Sequence, residues 1–251
     1  MEQLLASVAP SLQRFGMLMC RNRTDAEDVL QDALFSIASH LTTFEGRSSF
    51  SSWAFALARS ACSRKRRGLK NQPAVALDDV LDSAEPSASP EQRTADLERA
   101  KALRRAIESL SEDHREVILL RDVEDLTAPE AAASLGISVE ALKSRLHRAR
   151  SALREALRPV LEPEAPPASN GCPDVLALWS QKLEGDLSAA DCAQMERHME
   201  ICPSCSSACG ALRAALLACR STGSKVVSPE VRAIVRGAVR NWIQSDCSSG
   251  S

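Results

Sequence analysis

The sequence predicts an all-α protein, and three observations carry that prediction. The 251-residue chain is rich in Ala and Leu, holds no Tyr and has few β-branched runs. Apolar residues recur at spacings of three and four within each ordered-looking block. Capping residues stand just before those stripes. Two Pro-rich stretches, "NQPAVALDDVLDSAEPSASPEQ" at 71–92 and "EPEAPPASNG" at 162–171, read as flexible linkers. The expected order is a helical block over 1–70, an acidic linker over 71–98 and a second helical block over 99–160. A linker over 161–171, a small Cys-rich helical block over 172–222 and an amphipathic tail over 223–251 complete it.

Charge is distributed unevenly under a net value of −2. From Gly46 to Leu77 there is no acidic residue, whereas Asp78 to Glu98 is strongly acidic. The chain turns basic again between Ser138 and Pro159. Two basic modules joined by an acidic spacer suit contact with a polyanion. No apolar run approaches the roughly 20 residues of a membrane span, and the start does not read as a signal peptide. The expected location is the cytoplasm, where clustered thiols bind metal more often than they pair.

In the first block, Thr24 and Glu27 have capping-box spacing. Ala26, Val29, Leu30, Ala33, Leu34, Ile37, Ala38 and Leu41 then form a core stripe. Asp28, Gln31, Asp32 and Phe35 fall on one other face at i, i+3, i+4, i+7. An acidic face with a phenylalanine in it is a protein-docking surface or a plain solvated face. The next helix is expected to start at Ser48 or Ser49, carry Phe50, Trp53, Ala54, Leu57, Ala58 and Ala61, and end in Arg64, Lys65, Arg66, Arg67 with Gly68 as the stop. Aromatics beside a basic run suit single-stranded nucleic acid. At least one of Phe50, Trp53 and Phe55 must serve the core.

The second block contains "LTAPEAAASLGISVEALKSRLHRARSALREALR". A short helix from Thr127 to Leu135, a turn at Gly136 and a second helix capped by Ser138 make a helix-turn-helix pattern. Val139, Leu142, Leu146, Ala149 and Leu153 face inward, which leaves Glu140, Lys143, Ser144, Arg145, His147, Arg148 and Arg150 outside. Such a helix fits a major groove, with early side chains at base edges and later arginines on phosphates. Upstream, Leu103, Ile107, Leu110, Val117, Ile118 and Leu120 read as its support, and His114 as a surface residue.

The third block carries "HMEICPSC". Ser188 and Asp191 start a helix on which His198 and Cys202 are i, i+4 neighbours. Cys202 caps a further helix with Pro203 first, and Cys205 lies one turn in. A block of about 50 residues cannot rely on its core alone. A structural zinc site is worth roughly 10–16 kcal/mol, enough to decide its folding. Cys192, Cys209, Cys219 and Cys247 are possible further ligands, and soft surplus sulfur suits Cu(I), Cd²⁺ or Zn²⁺. In the tail, Val231, Ile234, Val235, Ala238 and Trp242 form an apolar face opposite Arg232, Arg236 and Arg240.

The stretch "DAEDVLQDALFSIASHLTTFEGRSSFSSWAFALARSACSRKRRG" resembles region 2 of the extracytoplasmic-function sigma factors. "IESLSEDHREVILLRDVEDLTAPEAAASLGISVEALKSRLHRARSALR" resembles their region 4. The resemblance implies that Asp28, Gln31, Asp32 and Phe35 dock on core RNA polymerase. It implies that Phe44, Phe50, Trp53 and Arg64–Arg67 lie near the melted minus-ten element of promoter DNA. It assigns Glu140, Lys143, Ser144, Arg145 and Arg148 to the minus-thirty-five element. The family usually shows Thr and Val where this chain has Ala141 and Leu142.

The Cys-rich block resembles the zinc-binding anti-sigma domain through Cys172, the "EGDLS" turn and His198, Cys202 and Cys205. Cys172 then completes a tetrahedral set of three thiolates and one imidazole. The whole chain resembles sigma factors of the CorE type, which implies a non-enzymatic initiation factor controlled by zinc, copper or cadmium, with the Cys-rich block contacting the sigma domains. Two alternatives stay open: a redox switch on the same thiols, and a stand-alone helix-turn-helix regulator with a structural zinc. With four ligands the site is closed, which disfavours metal catalysis.

Overall fold

The computed structural model describes residues 2–20, 22–68, 101–161 and 172–221, with 229, 232–237 and 239–240 of the tail. The linkers expected at 71–98 and 162–171 lie outside the described residues, as do Val231, Ala238, Trp242 and Cys247 of the tail and the side chain of Cys219. Among the described residues every regular element is helical and none is a strand. The chain divides into two compact units.

The first unit contains α1 (Glu2–Met19), α2 (Arg23–His40) and α3 (Phe50–Gly68). Its core joins Leu5, Ala9, Leu12 and Phe15 of α1 to Ala26, Val29, Leu30, Ala33, Leu34, Ile37 and Ala38 of α2 and to Ala54, Phe55 and Ala58 of α3; Leu41, expected in the same stripe, falls in the turn after α2 and is half-buried. Gly16 lets α1 and α2 approach closely: a Cβ there would stand 3.2 Å from the Ala26 carbonyl oxygen. The start of α2 differs from expectation. Asn22, not Thr24, is the cap, and its side chain accepts from the Asp25 amide at 2.7 Å. Asn is as good a cap as Thr and stands one residue before the first helical turn. Ser49 does cap α3, accepting from the Ser52 amide at 3.2 Å. In the tail, Val235 is buried while Arg232 and Arg236 are exposed.

The second unit holds the Cys-rich block and the helix-turn-helix block except Ala133–Gly136, which group with the first unit. Helix α4 (101–109) leads to α5 (Glu112–Ile118), capped by Ser111. The chain then widens into one π turn, Leu119–Val123, with the Glu124 amide bonded to the Leu119 carbonyl. Helix α6 (Ala128–Leu135) opens on a reciprocal box. The Thr127 amide donates to Glu130, and the Glu130 amide to the Thr127 hydroxyl. Gly136 turns at φ +66, a conformation that glycine adopts without strain. Ser138 caps α7 (Val139–Leu161), accepting from the Ala141 amide at 3.1 Å. Helices α8 (Val175–Glu184), α9 (Ala189–Ile201) and α10 (Pro203–Ser221) follow. Gly185, at φ +74, ends α8, and Ser188 caps α9.

Candidate metal centre and nucleic-acid surfaces

Ser188 and Pro203 set where α9 and α10 begin, and Cys202 is the joint between them. His198 therefore projects from the last turn of α9, and Cys205 from the first turn of α10. Cys172 reaches them from the segment before α8. The ligand atoms of Cys172, His198, Cys202 and Cys205 all lie within 4.8 Å of one another. His198 Nε2 is 3.3 Å from Cys205 Sγ, and the sulfurs of Cys172 and Cys202 are 3.8 Å apart. Burial, reinforced by the Cys202 and Cys172 sulfurs, pushes the Cys205 thiol up to about 12. Burial and two neighbouring sulfurs thus disfavour the charged form of Cys205. A divalent cation reverses that balance, so this donor set fits a tetrahedral metal.

Val175, Met195, Cys205 and Cys209 form the small core behind the site, with Trp179, Leu187 and Met199 packed on it. Cys209 is thus a core residue next to the four candidate ligands. Cys192 instead is half-buried, its thiol 3.5 Å from Glu196 Oε1.

The four residues of the α2 face, Asp28, Gln31, Asp32 and Phe35, are all exposed. Lys65 reaches back from α3 to hold Asp28 at 2.6 Å and Asp25 at 3.3 Å. The hydrogen bond to Asp28 is the main reason that its ammonium is held above the usual lysine value. Arg64 and Arg67 stay exposed, and Arg66 lies against the Ser63 hydroxyl at 3.3 Å. Phe44, Phe50 and Trp53 stack as one half-buried cluster with ring centroids 5.0–6.0 Å apart. Phe55 is the structural aromatic, edge-on to Phe15 at 5.6 Å.

On α7, Glu140, Ser144 and Arg148 are exposed, and Arg145 lies 3.6 Å from Asp113. His114 is half-buried; burial, then Arg148, holds its ring below the usual histidine value. Lys143 is engaged by Asp186 of the turn after α8, at 2.6 Å. His147 Nε2 stands 3.8 Å from Asp174 Oδ2 at the start of α8.

Arg150 requires a correction. The sequence placed it on the outer face, yet it is 1% exposed. It donates to both oxygens of Asp122 at 2.9 and 2.5 Å, to Glu184 at 3.0 Å and to the Ser180 hydroxyl at 2.5 Å. Burial works against its charge, but Asp122 and then Glu184 outweigh it and raise the guanidinium above its ordinary value. Arg121 also binds Glu184, at 2.9 Å. One carboxylate on α8 is therefore gripped by two arginines from the helix-turn-helix block. Asp122, Ser180, Glu184 and Asp186 are the polar partners that sequence reasoning missed. A charged residue inside "VILLRDVED" was the available signal.

Three family models match. "Sigma-70 region 2" covers residues 4–72, "Sigma-70, region 4" covers 100–153, and "Putative zinc-finger" covers 172–206. The chain is 31% identical over 156 residues to the ECF RNA polymerase sigma factor SigM of Mycobacterium tuberculosis, matching 62% of this chain and 76% of SigM. It is 35% identical over 160 residues to the RNA polymerase sigma factor CarQ of Myxococcus xanthus, matching 62% of this chain and 88% of CarQ. Among solved structures, RpoE in complex with the anti-sigma factor NepR from Bartonella quintana aligns at TM-score 0.49 and 28% identity, over 62% of this chain and 95% of that one. Region 2 in α1 to α3, region 4 in the helix-turn-helix and a zinc-finger-like cluster behind them make the assignment: the chain belongs to the extracytoplasmic-function family of RNA polymerase sigma factors, transcription initiation factors rather than enzymes.

Proposed function

We propose that this sigma factor binds core RNA polymerase in the cytoplasm, directs it to promoters, and is controlled in cis by zinc in its C-terminal block. Region 2 docks on polymerase through Asp28, Gln31, Asp32 and Phe35. It meets melted minus-ten DNA through Phe50, Trp53, Arg64, Arg66 and Arg67. Lys65 contributes once it leaves Asp28. Region 4 reads the minus-thirty-five duplex with Glu140, Lys143, Ser144, Arg145 and Arg148. Cys172, His198, Cys202 and Cys205 hold the metal, which supplies the cross-link that keeps the C-terminal block folded.

The observation that carries the control is the pairing of Lys143 with Asp186, backed by the grip of Arg150 and Arg121 on Glu184. A lysine that reads DNA cannot also be bound to an aspartate. Arg150 keeps Asp122 as a partner whether or not Glu184 is present, so region 4 survives release while the C-terminal block lets go. A cavity of about 500 Å³ lined by Lys143, Ser144, His147, Gln181 and Asp186 leaves this seam loosely packed, as a separable contact should be. In the zinc-loaded chain α7 is held; when the cage opens, α8 loses its anchor at Cys172 and α7 is freed. A few kcal/mol of preference suffices for such a population shift.

Run-off transcription with core polymerase under reducing conditions, titrating a chelator and then Zn²⁺, Cu(I) or Cd²⁺, tests this reading. Activity should rise as zinc is withdrawn and fall as it is restored. Transcription indifferent to every metal would overturn it. Activity that responds to oxidant alone would replace metal control with a thiol switch.

A further inference from the structure

The three matching family models end at residue 206, so the tail beyond α10 lies outside all of them. Its described residues, 229, 232–237 and 239–240, are helical, and the tail groups with α1 to α3 in the first unit. Val235 is 2% exposed, with Ile234 and Val239 half-buried. A single helix cannot enclose its own valine, so this face is packed on another part of the chain. Arg232, Arg236 and Arg240, at i, i+4 and i+8, are all exposed. Arg236 Nε donates to the Arg232 carbonyl at 3.4 Å, which lays that side chain along the row. Like charges one turn apart repel. Glu230 is the only acidic residue between Ser228 and Gln244, and it stands neither three nor four places from any of the arginines. A helix face made only for solvent tends to mix both signs; this row has one sign and points outward, which fits an anionic partner.

The burial of Val235 separates the kinds of anion. A basic amphipathic helix that lies on a membrane inserts its apolar face, and one that fills a protein groove uses the same face. Here that face is already engaged within the chain, and charge alone is left for a partner. Charge without apolar contact suits the phosphates of DNA, the polyanion that sigma factors bind. Four residues of helix rise about 6 Å. The row therefore covers about 12 Å, the axial rise of three to four phosphates on one strand. We infer that Arg232, Arg236 and Arg240 form a further DNA-contacting surface, outside regions 2 and 4, that holds the phosphate backbone of promoter DNA without reading its sequence. The contact adds affinity and salt dependence, not base preference. It rests on the family assignment and is independent of the metal control proposed above.

The test uses the full chain bound to core polymerase, titrated on a promoter duplex over about 50 to 200 mM salt. It is run once with zinc and once with a chelator. The variant replaces all three arginines: Arg232→Gln, Arg236→Gln and Arg240→Gln. The slope of log affinity against log salt should become shallower by about two to three, by the same amount with and without zinc. The same change should appear on a duplex whose two promoter elements are scrambled. Arg→Lys at the three positions should keep the wild-type slope, because a phosphate accepts either cation; this also shows that charge, not folding, carries the effect. A Gln variant whose slope stays within about half a unit of wild type would overturn the inference. So would an unchanged slope with weakened binding to core polymerase alone, or with lost binding to phosphatidylglycerol vesicles, since the row would then serve polymerase or a membrane.

Discussion

Helices α2 and α7 each carry a set of residues suited to a macromolecular partner, and they differ in what engages them: Asp28 on α2 pairs with Lys65 of its own unit, whereas Lys143 on α7 pairs with Asp186 of the zinc-finger-like block. On α2, Asp28, Gln31, Asp32 and Phe35 all face solvent. On α7, Lys143 is tied to Asp186, His147 lies near Asp174, and Arg150 is enclosed by Asp122, Ser180 and Glu184. Ser180 and Glu184 belong to α8, Asp174 caps its start and Asp186 lies in the turn after it, all in the zinc-finger-like block. The difference teaches where control can act. Under the proposed function, a chain able to meet polymerase through the exposed face of α2 is held back at α7.

The largest effect should come from the metal cage. Cys202→Ser removes the ligand that joins α9 to α10. With roughly 10–16 kcal/mol resting on such a site, the variant should lose its metal and expose 172–221 to proteolysis, with α1 to α3 unaffected. Metal analysis with limited proteolysis checks this; an intact, metal-free block would break the comparison at its root. Next is Glu184→Ala. It strips Arg121 and Arg150 of a buried carboxylate, and breaking a buried pair costs about 3–5 kcal/mol. Because Asp122 still partners Arg150, the lower end is expected, and transcription by this variant should no longer respond to chelation.

Asp28→Arg with Asp32→Arg probes the open side. It should weaken core-polymerase binding at least tenfold, about 1.4 kcal/mol, by the same factor with and without metal. A metal-dependent loss would show that α2 is also under control. Asp186→Ala should have the smallest effect. Lys143 and Asp186 are partly exposed, and such pairs are worth about 0–1 kcal/mol, so duplex affinity should rise by no more than about fivefold. Arg148→Ala is its counterpart on the outer face: it should weaken binding across sequences and lower the salt slope by about one.

Much of the fold was legible because helix punctuation is local. Gly136 and Ser138 sit in the structure where their chemistry places them. So do Ser188 and Pro203, and from them the arrangement of His198, Cys202 and Cys205 follows. Asn22 was missed because Thr24 and Glu27 offer the same signal two residues later. Arg150 was misread for a different reason. It lies at i+4 from Leu146 and i−3 from Leu153, squarely within the apolar stripe, but charge was taken to outrank position. Its partners come from 28 to 34 residues away, and no periodicity reports a long-range carboxylate. The seam between α7 and α8 was illegible for the same reason, since it is built from pairs rather than from a pattern.

The most direct measurement of the central claim is the acylation rate of the Lys143 amine in the full chain, followed by mass spectrometry with and without a zinc chelator. Lys65, paired with Asp28 on the other unit, serves as the internal reference. The account predicts that chelation speeds labelling of Lys143 several-fold and leaves Lys65 unchanged. Equal Lys143 rates in both states would contradict it.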